Sequence, residues 1–259
     1  MTAAQNTHGQ RFADQVAVVT GASRGIGLAI AERIVAEGGS VVITARNADG
    51  LAEAVAGLGG EPHATYVAGK ADDPDHQAEV FRTVTERFGR LDVLVNNTGI
   101  NPAYGPLTEL DPVAASKIMD VNVLGALQWT KLALDAGLGR DRMGAIVNIA
   151  SVAGLAPAPG IGYYGVSKSA LIGLTVQLAS ELSPRVRVNA IAPAVVKTKF
   201  AAALYEADED GVAAGYPLKR LGEPADVGAL AAFLASADSS WITGQTVVID
   251  GGMSLRASL

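Results

Sequence analysis

The stretch Val16-Ala17-Val18-Val19-Thr20-Gly21-Ala22-Ser23-Arg24-Gly25-Ile26-Gly27 decides how this chain folds. Its first four residues form an unbroken apolar run, which reads as a strand buried on both faces of a parallel sheet. Three glycines follow, and the residues after them recur with helical spacing. Gly21 permits a tight turn, Gly25 lets backbone approach a pyrophosphate, and Gly27 lets the helix sit close on the strand. The start of that helix offers unpaired N–H groups and the positive end of a dipole. The whole loop, with Gly21, Ser23, Arg24, Gly25, Ile26 and Gly27, therefore reads as a phosphate cradle for a dinucleotide.

The same alternation continues along the chain. Further strands are predicted at Val41–Thr44, Thr65–Val67, Val93–Asn96, Ile146–Ile149, Val186–Ala190 and Thr246–Ile249. Helical patterns lie at Gly25–Glu37, Asp75–Phe88, Ala115–Leu134, Tyr164–Leu182 and Pro224–Leu234. Strands alternating with helices build βαβ units. The expected fold is α/β: a single-domain Rossmann fold with a doubly wound, seven-stranded parallel sheet and helices on both faces. Residues 1–12 read as a flexible tail and residues 13–259 as the domain. Only the segment of about 197–219 breaks the alternation. It is Ala-rich, carries the acidic stretch Glu206–Asp210, and reads as a helical flap over the site.

Composition narrows the function. The 259 residues are 49% hydrophobic with a net charge of −6, and no basic stripe suggests a nucleic-acid partner. With no cysteine, disulfides, thiolate catalysis and Cys-based metal sites are excluded. Asp72, Asp73 and Asp75 lack the Gly and Glu of a calcium loop and read as a helix cap, so no metal is expected. His8, His63 and His76 are scattered and read as surface histidines. No apolar run spans a membrane, and a soluble cytoplasmic protein acting on a small molecule is the simplest reading.

The end of the second strand selects the nucleotide. NAD sites usually place an acid there for the ribose 2′-hydroxyl. This chain has Thr44-Ala45-Arg46-Asn47 instead. Arg46 can pair with a 2′-phosphate, and Arg24 adds a second cation. NADP(H) is favoured, with NAD(H) possible.

Chemistry enters with Ser151, Tyr164 and Lys168. Tyr164 and Lys168 are four apart, neighbours on one helix face. A phenol has a reference pKa of about 10, and a fixed ammonium beside it favours the phenolate and draws that value toward neutrality. Ser151 adds a hydroxyl aimed at the same substrate oxygen. The three describe proton transfer at a carbonyl or an alcohol.

With these motifs in place, the chain resembles the compact short-chain dehydrogenases/reductases from about Ala13 to Gly252. The resemblance rests on Thr20–Gly27, Asn96-Asn97-Thr98-Gly99, Asn122 within Asp120-Val121-Asn122-Val123, Ser151 with Tyr164 and Lys168, and Asn189-Ala190-Ile191-Ala192-Pro193. It implies that Tyr164 is the general acid in reduction, that Lys168 lowers its pKa and bonds the nicotinamide ribose, and that Ser151 orients the carbonyl. It further implies that Asn122 holds a water relaying protons from Lys168. Asn96, Asn97 and Gly99 would line the adenosine side, and Pro193, Val196 and Thr198 the nicotinamide carboxamide. Thr98 and Ala194 depart from the family pattern by small enlargements. Lys70 stands where an aspartate commonly meets adenine, leaving Asp72 or backbone to substitute. The family is usually dimeric or tetrameric, which implies a homotetramer. Within it, the chain is similar both to 3-oxoacyl-[acyl-carrier-protein] reductases and to NADP-dependent carbonyl reductases. The implied function is hydride transfer between NADP(H) and a 3-oxoacyl thioester or hydrophobic ketone. The alternatives are an NAD-dependent alcohol dehydrogenase and a non-catalytic nucleotide sensor on the same scaffold.

Overall fold

In the computed structural model, which describes residues 9–256, the glycine-rich stretch joins β1 (Val16–Thr20) to α1 (Gly25–Ala36). The chain continues through β2 (Ser40–Ala45), α2 (Ala48–Gly57), β3 (Ala64–Ala68), α3 (Pro74–Phe88) and β4 (Val93–Asn96). Next come α4 (Pro112–Met119), α5 (Gly125–Asp135), β5 (Gly144–Ile149), α6 (Gly162–Leu182) and β6 (Val186–Pro193). The last elements are α7 (Glu209–Ala214), α8 (Pro224–Ala235) and β7 (Thr246–Ile249). All seven strands pair in parallel, in the order β3-β2-β1-β4-β5-β6-β7. The expected seven-stranded, doubly wound sheet is the one observed.

Strand pleating divides the core into two layers. Ala17, Val19, Val93 and Val95 face one side, where Ile30 and Ile34 of α1, Leu51 of α2 and Val227 and Ala231 of α8 cover them. Val16, Val18 and Leu94 face the other, against Val80 and Val84 of α3, Trp129 of α5 and Leu178 of α6. A strand buried on both faces needs apolar residues at every position, and all five residues of β1 are buried.

Several element ends differ from the sequence reading by one or two residues, and three differences are larger. The helix expected over Ala115–Leu134 is two helices joined by a π-helical turn, Asp120–Leu124, which contains Asn122. Strand β6 runs on to Pro193, buried throughout. The segment expected as a tail is anchored before its end: Phe12 is fully buried, and Arg11 pairs with buried Glu37 at 2.5 Å. Residues 1–8, including His8, lie outside the described residues, as do 257–259. In the flap, Asp208 caps α7 by accepting from the N–H of Gly211, and Lys197 pairs with Glu223 and Glu209.

Asp92, at the entry to β4, accepts from the Val16 N–H and pairs with Arg90 and Arg142. Arg187, buried in β6, serves the opposite layer. Its guanidinium donates to the carbonyls of Leu234 (2.9 Å) and Ser236 (2.9 Å) and to the Ser239 hydroxyl (2.8 Å). These carbonyls end α8 and have no helical partner of their own, so one planar fork satisfies a buried helix terminus. Arg187→Met is expected to cost about 3 kcal/mol, because the Leu234 and Ser236 carbonyls lose their charged donor and must share the single proton of the Ser239 hydroxyl. Arg187→Lys should recover part of that loss. Urea denaturation measures both, and an unchanged midpoint for the Met variant would refute this account.

Candidate active site

All seven strands end at one edge of the sheet. A crevice opens there between β1 and β4, where the direction of winding reverses. A cleft of about 750 Å³ occupies that edge. At its β1–β2 end are Gly21, Ser23, Arg24, Gly25 and Ile26, with Arg46 and Asn47. Gly25 has φ of +62°, in the left-handed region that favours glycine. A Cβ on Gly27 would lie 2.6 Å from the Gly21 carbonyl oxygen, so only glycine lets α1 approach the loop. Arg24, at the start of α1, makes no side-chain cap, and the first N–H groups of this 12-residue helix are left for a ligand. These features fit the diphosphate of a dinucleotide.

Thr20 and Asn97 hold the crevice. The Thr20 hydroxyl accepts from the N–H groups of Asn97 and Thr98 at 3.0 Å each. The Asn97 amide donates to the carbonyls of Thr20 (2.9 Å) and Gly21 (3.1 Å). Asn97 and Gly99 line the cleft as expected, but Asn96 does not. Asn96 is buried, and its amide donates to Asn148 (2.9 Å), whose own amide donates to Thr175 (2.9 Å). β4 and β5 register Asn96 opposite Asn148, and strand pairing thus turns it inward. Asp72 lines the cleft, yet Lys117 of α4 pairs with it and holds its carboxyl below the usual range. Asp73 caps α3, accepting from the Asp75 N–H, as the sequence indicated. His76, expected at the surface, is buried beside Thr44.

At the opposite end, Ser151, Tyr164 and Lys168 come together with Pro193 and Val196, while Thr198 lies against the glycine loop, its side chain 3.3 Å from where a Cβ on Gly25 would stand. Ser151 follows β5, and its hydroxyl accepts from the Ala153 N–H at 3.2 Å. Tyr164 and Lys168 share one face of α6, with the ammonium 5.5 Å from the centre of the phenol ring. The Lys168 ammonium donates to the Ile149 carbonyl at 2.7 Å, and a Cβ on Gly99 would lie 3.2 Å from it. Gly99 thus leaves the space over Lys168 open. Asn122 sits behind this wall rather than on it. Its Oδ1 accepts from the Ile100 N–H (2.8 Å), and its amide donates to the Ile100 carbonyl and the Ser167 hydroxyl (3.0 Å each).

The electrostatics differ from the sequence reading, in which Lys168 draws the phenol down. Burial pushes the Tyr164 phenol up to about 12, against a smaller opposite effect of the Ser151 hydroxyl. Burial also pushes the Lys168 ammonium down to about 8. A dry site penalises both charged forms, which favours the protonated phenol and the neutral amine.

The part of the cleft beyond Ser151 and Tyr164 is lined by Ile100, Tyr104, Val152, Ala156, Pro157, Ile161, Phe200 and Leu204. Of the flap, only its first part reaches the cleft, through Thr198, Lys199, Phe200, Ala201 and Leu204. Sequence reasoning missed Met253, Lys117 and the Ile149 carbonyl. Asn148 was open to discovery as a lone amide in an apolar strand. The other contacts arise from distant segments and leave no local signal.

Such an edge, with a glycine loop that fits a diphosphate at one end and a Ser–Tyr–Lys group at the other, is that of a dinucleotide-dependent oxidoreductase. The chain belongs to the short-chain dehydrogenase/reductase family. Residues 21–254 match the family model described as enoyl-(acyl carrier protein) reductase. Dehydrogenase/reductase SDR family member 4 of Caenorhabditis elegans is 41% identical over 255 residues, covering 95% of this chain and 98% of that protein. Its human counterpart is 36% identical over 263 residues, covering 99% and 93%. Among solved structures, a short-chain dehydrogenase/reductase from Brucella melitensis, titled glucose/ribitol dehydrogenase, aligns with a TM-score of 0.88 at 33% identity. That alignment covers 94% of this chain and 98% of that one. One from Mycobacterium ulcerans aligns with a TM-score of 0.88 at 37% identity, covering 95% and 91%.

The buried Lys168 has a consequence for stability. Its pKa falls from 10.5 unfolded to about 8 folded, so between these values the unfolded chain binds more protons than the folded one. Stability from this group rises with pH across that window. Lys168→Met is expected to raise stability by about 1–2 kcal/mol at pH 7, net of the donor lost by the Ile149 carbonyl. That gain should vanish toward pH 10.5. Thermal melts of both proteins across this range test it, and a destabilised variant at pH 7 would contradict it.

Proposed function

We propose that the protein is an NADP(H)-dependent reductase of a hydrophobic ketone or a 3-oxoacyl thioester. The observation that carries the proposal is one cleft with Arg24 and Arg46 beside the α1 N-terminus at one end and Ser151, Tyr164 and Lys168 at the other. Arg46 and Arg24 would pair with the 2′-phosphate, with Ser23 and Asn47 beside them and no carboxylate at the end of β2 to repel it. Gly25, Ile26 and the start of α1 would hold the diphosphate. Pro193, Val196 and Thr198 would hold the nicotinamide end, and Lys168 its ribose. The apolar lining at the substrate end supports a hydrophobic carbonyl compound. The relatives' names as dehydrogenase/reductases agree with the reaction type.

The cofactor, when bound, supplies the hydride to the carbonyl carbon. Ser151 donates a hydrogen bond to the carbonyl oxygen and fixes its direction. As negative charge develops on that oxygen, Tyr164 gives it the phenolic proton and the alcohol is complete. The phenolate left behind is stabilised by the Lys168 ammonium, which the Ile149 carbonyl holds beneath the ring. Asn122, tied to Ile100 and Ser167, would support the route by which Tyr164 regains a proton. Oxidation of an alcohol is the same path reversed.

Homotetrameric assembly and a cytoplasmic location belong to the same proposal. Exposed apolar side chains on α6 (Val166, Val176) and near the C-terminus (Trp241, Val248) support the assembly. Light scattering would test it, a monomeric mass being contrary.

Two variants test the chemistry. Tyr164→Phe is expected to bind NADPH normally and to reduce ketones at least about 100-fold more slowly. Near-normal turnover would remove Tyr164 from its role. Arg46→Ala is expected to weaken NADPH about 10-fold or more while leaving NADH little changed, since only the former carries the 2′-phosphate. Titration of both cofactors reads this out, and an unaltered preference would go against it.

A further inference from the structure

His76 does not touch the cleft, yet three contacts place it directly behind the wall of the adenosine end. It is buried on α3, and its Nε2 lies 2.6 Å from the Thr44 hydroxyl, one hydrogen bond with the donor set by the tautomer. Thr44 ends the apolar part of β2, two residues before Arg46, and lines the cleft. The other side of the imidazole presses on the loop after β3. A Cβ on Gly69 would lie 2.3 Å from both Cγ and Nδ1 of His76, so the ring occupies the space that any side chain there would need. The edge of the ring meets Trp129 of α5, with centroids 6.0 Å apart at 75°. The neighbouring side chains grip the same loop. Gln77 and Trp129 both donate to the Ala71 carbonyl, at 2.7 and 3.0 Å. Gly69, Lys70, Ala71 and Asp72 then form the cleft wall facing away from these contacts.

Resting on the proposed function, we infer that His76 is a positioning residue for the adenosine half of the cofactor. It locks the end of β2, and with it Arg46, to the Gly69–Asp72 loop. Gln77 and Trp129 fix that loop in depth through one carbonyl, the Gly69 N–H donates to the Ala45 carbonyl of β2 at 3.0 Å, and the His76 ring adds a side-chain link between the loop and Thr44. Burial holds the imidazole below its ordinary pKa despite Asp73 and Glu79 on the same helix, so the ring meets Thr44 as a neutral partner. The separation from Tyr164 is functional as well as spatial. Loosening this wall costs affinity for the adenosine half and leaves the chemical step alone.

The test uses 2′-phospho-ADP-ribose, which carries the adenosine half and no nicotinamide. Calorimetry on the full-length protein should show His76→Leu binding it about 5- to 10-fold more weakly, roughly what one hydrogen bond is worth. At saturating NADPH the variant's kcat should stay within about twofold of the parent. His76→Gln, which keeps a polar group toward Thr44, should restore most of the affinity, and it carries the test should the Leu variant not fold. Equal fragment affinity in parent and His76→Leu would overturn the inference and leave the proposed function intact. So would a fall in kcat as large as the loss of affinity, which is the mark of general damage. A parent protein that does not bind the fragment at all would overturn both.

Discussion

Two adjacent parallel strands, β1 and β4, send their chains to opposite faces of the sheet, and the peptide groups at their ends must find partners outside the ladder. The Thr20 hydroxyl and the Asn97 amide supply them, bonding across the gap in both directions. Four hydrogen bonds therefore set the width of the crevice in which the cleft lies. The glycine loop is held on one side by these bonds and on the other by α1, packed so closely that Gly27 has no room for a side chain. Everything at the nucleotide end inherits its position from this junction.

The reactive end depends on burial. Lys168 lies nearly inaccessible, held by one carbonyl, and the cost of keeping its charge there appears as a pKa drawn down to about 8. The same dryness raises the phenol of Tyr164. Low dielectric strengthens whatever charge interactions a substrate completes. A site of this kind trades fold stability for readiness, as functional sites commonly do.

Much of this was legible in the chain. The glycine spacing, the unbroken apolar strands and the four-residue step from Tyr164 to Lys168 are local patterns, and each was found where it was expected. Of the cluster Asp72, Asp73 and Asp75, Asp73 caps α3 as its composition suggested, while Asp72 pairs with Lys117 at the cleft. The misreadings share a cause. Asn96 pointed inward because β5 set Asn148 opposite it, and His76 was buried because Trp129 and Thr44, far off in sequence, enclosed it. The phenol pKa moved opposite to expectation because spacing reports a neighbouring charge and says nothing of the water removed around it.

The sequence by itself determined the alternation of strands and helices, the glycine loop between β1 and α1 and the spacing of the Ser–Tyr–Lys group, since periodicity, glycine sterics and helical spacing act over a few residues. Tertiary structure decided which polar side chains face the cleft, how deeply Lys168 is buried, and that α3 and α5 support the Gly69–Asp72 wall of the cleft from behind. Those outcomes depend on strand register and on packing between residues dozens of positions apart, where no local pattern carries the information.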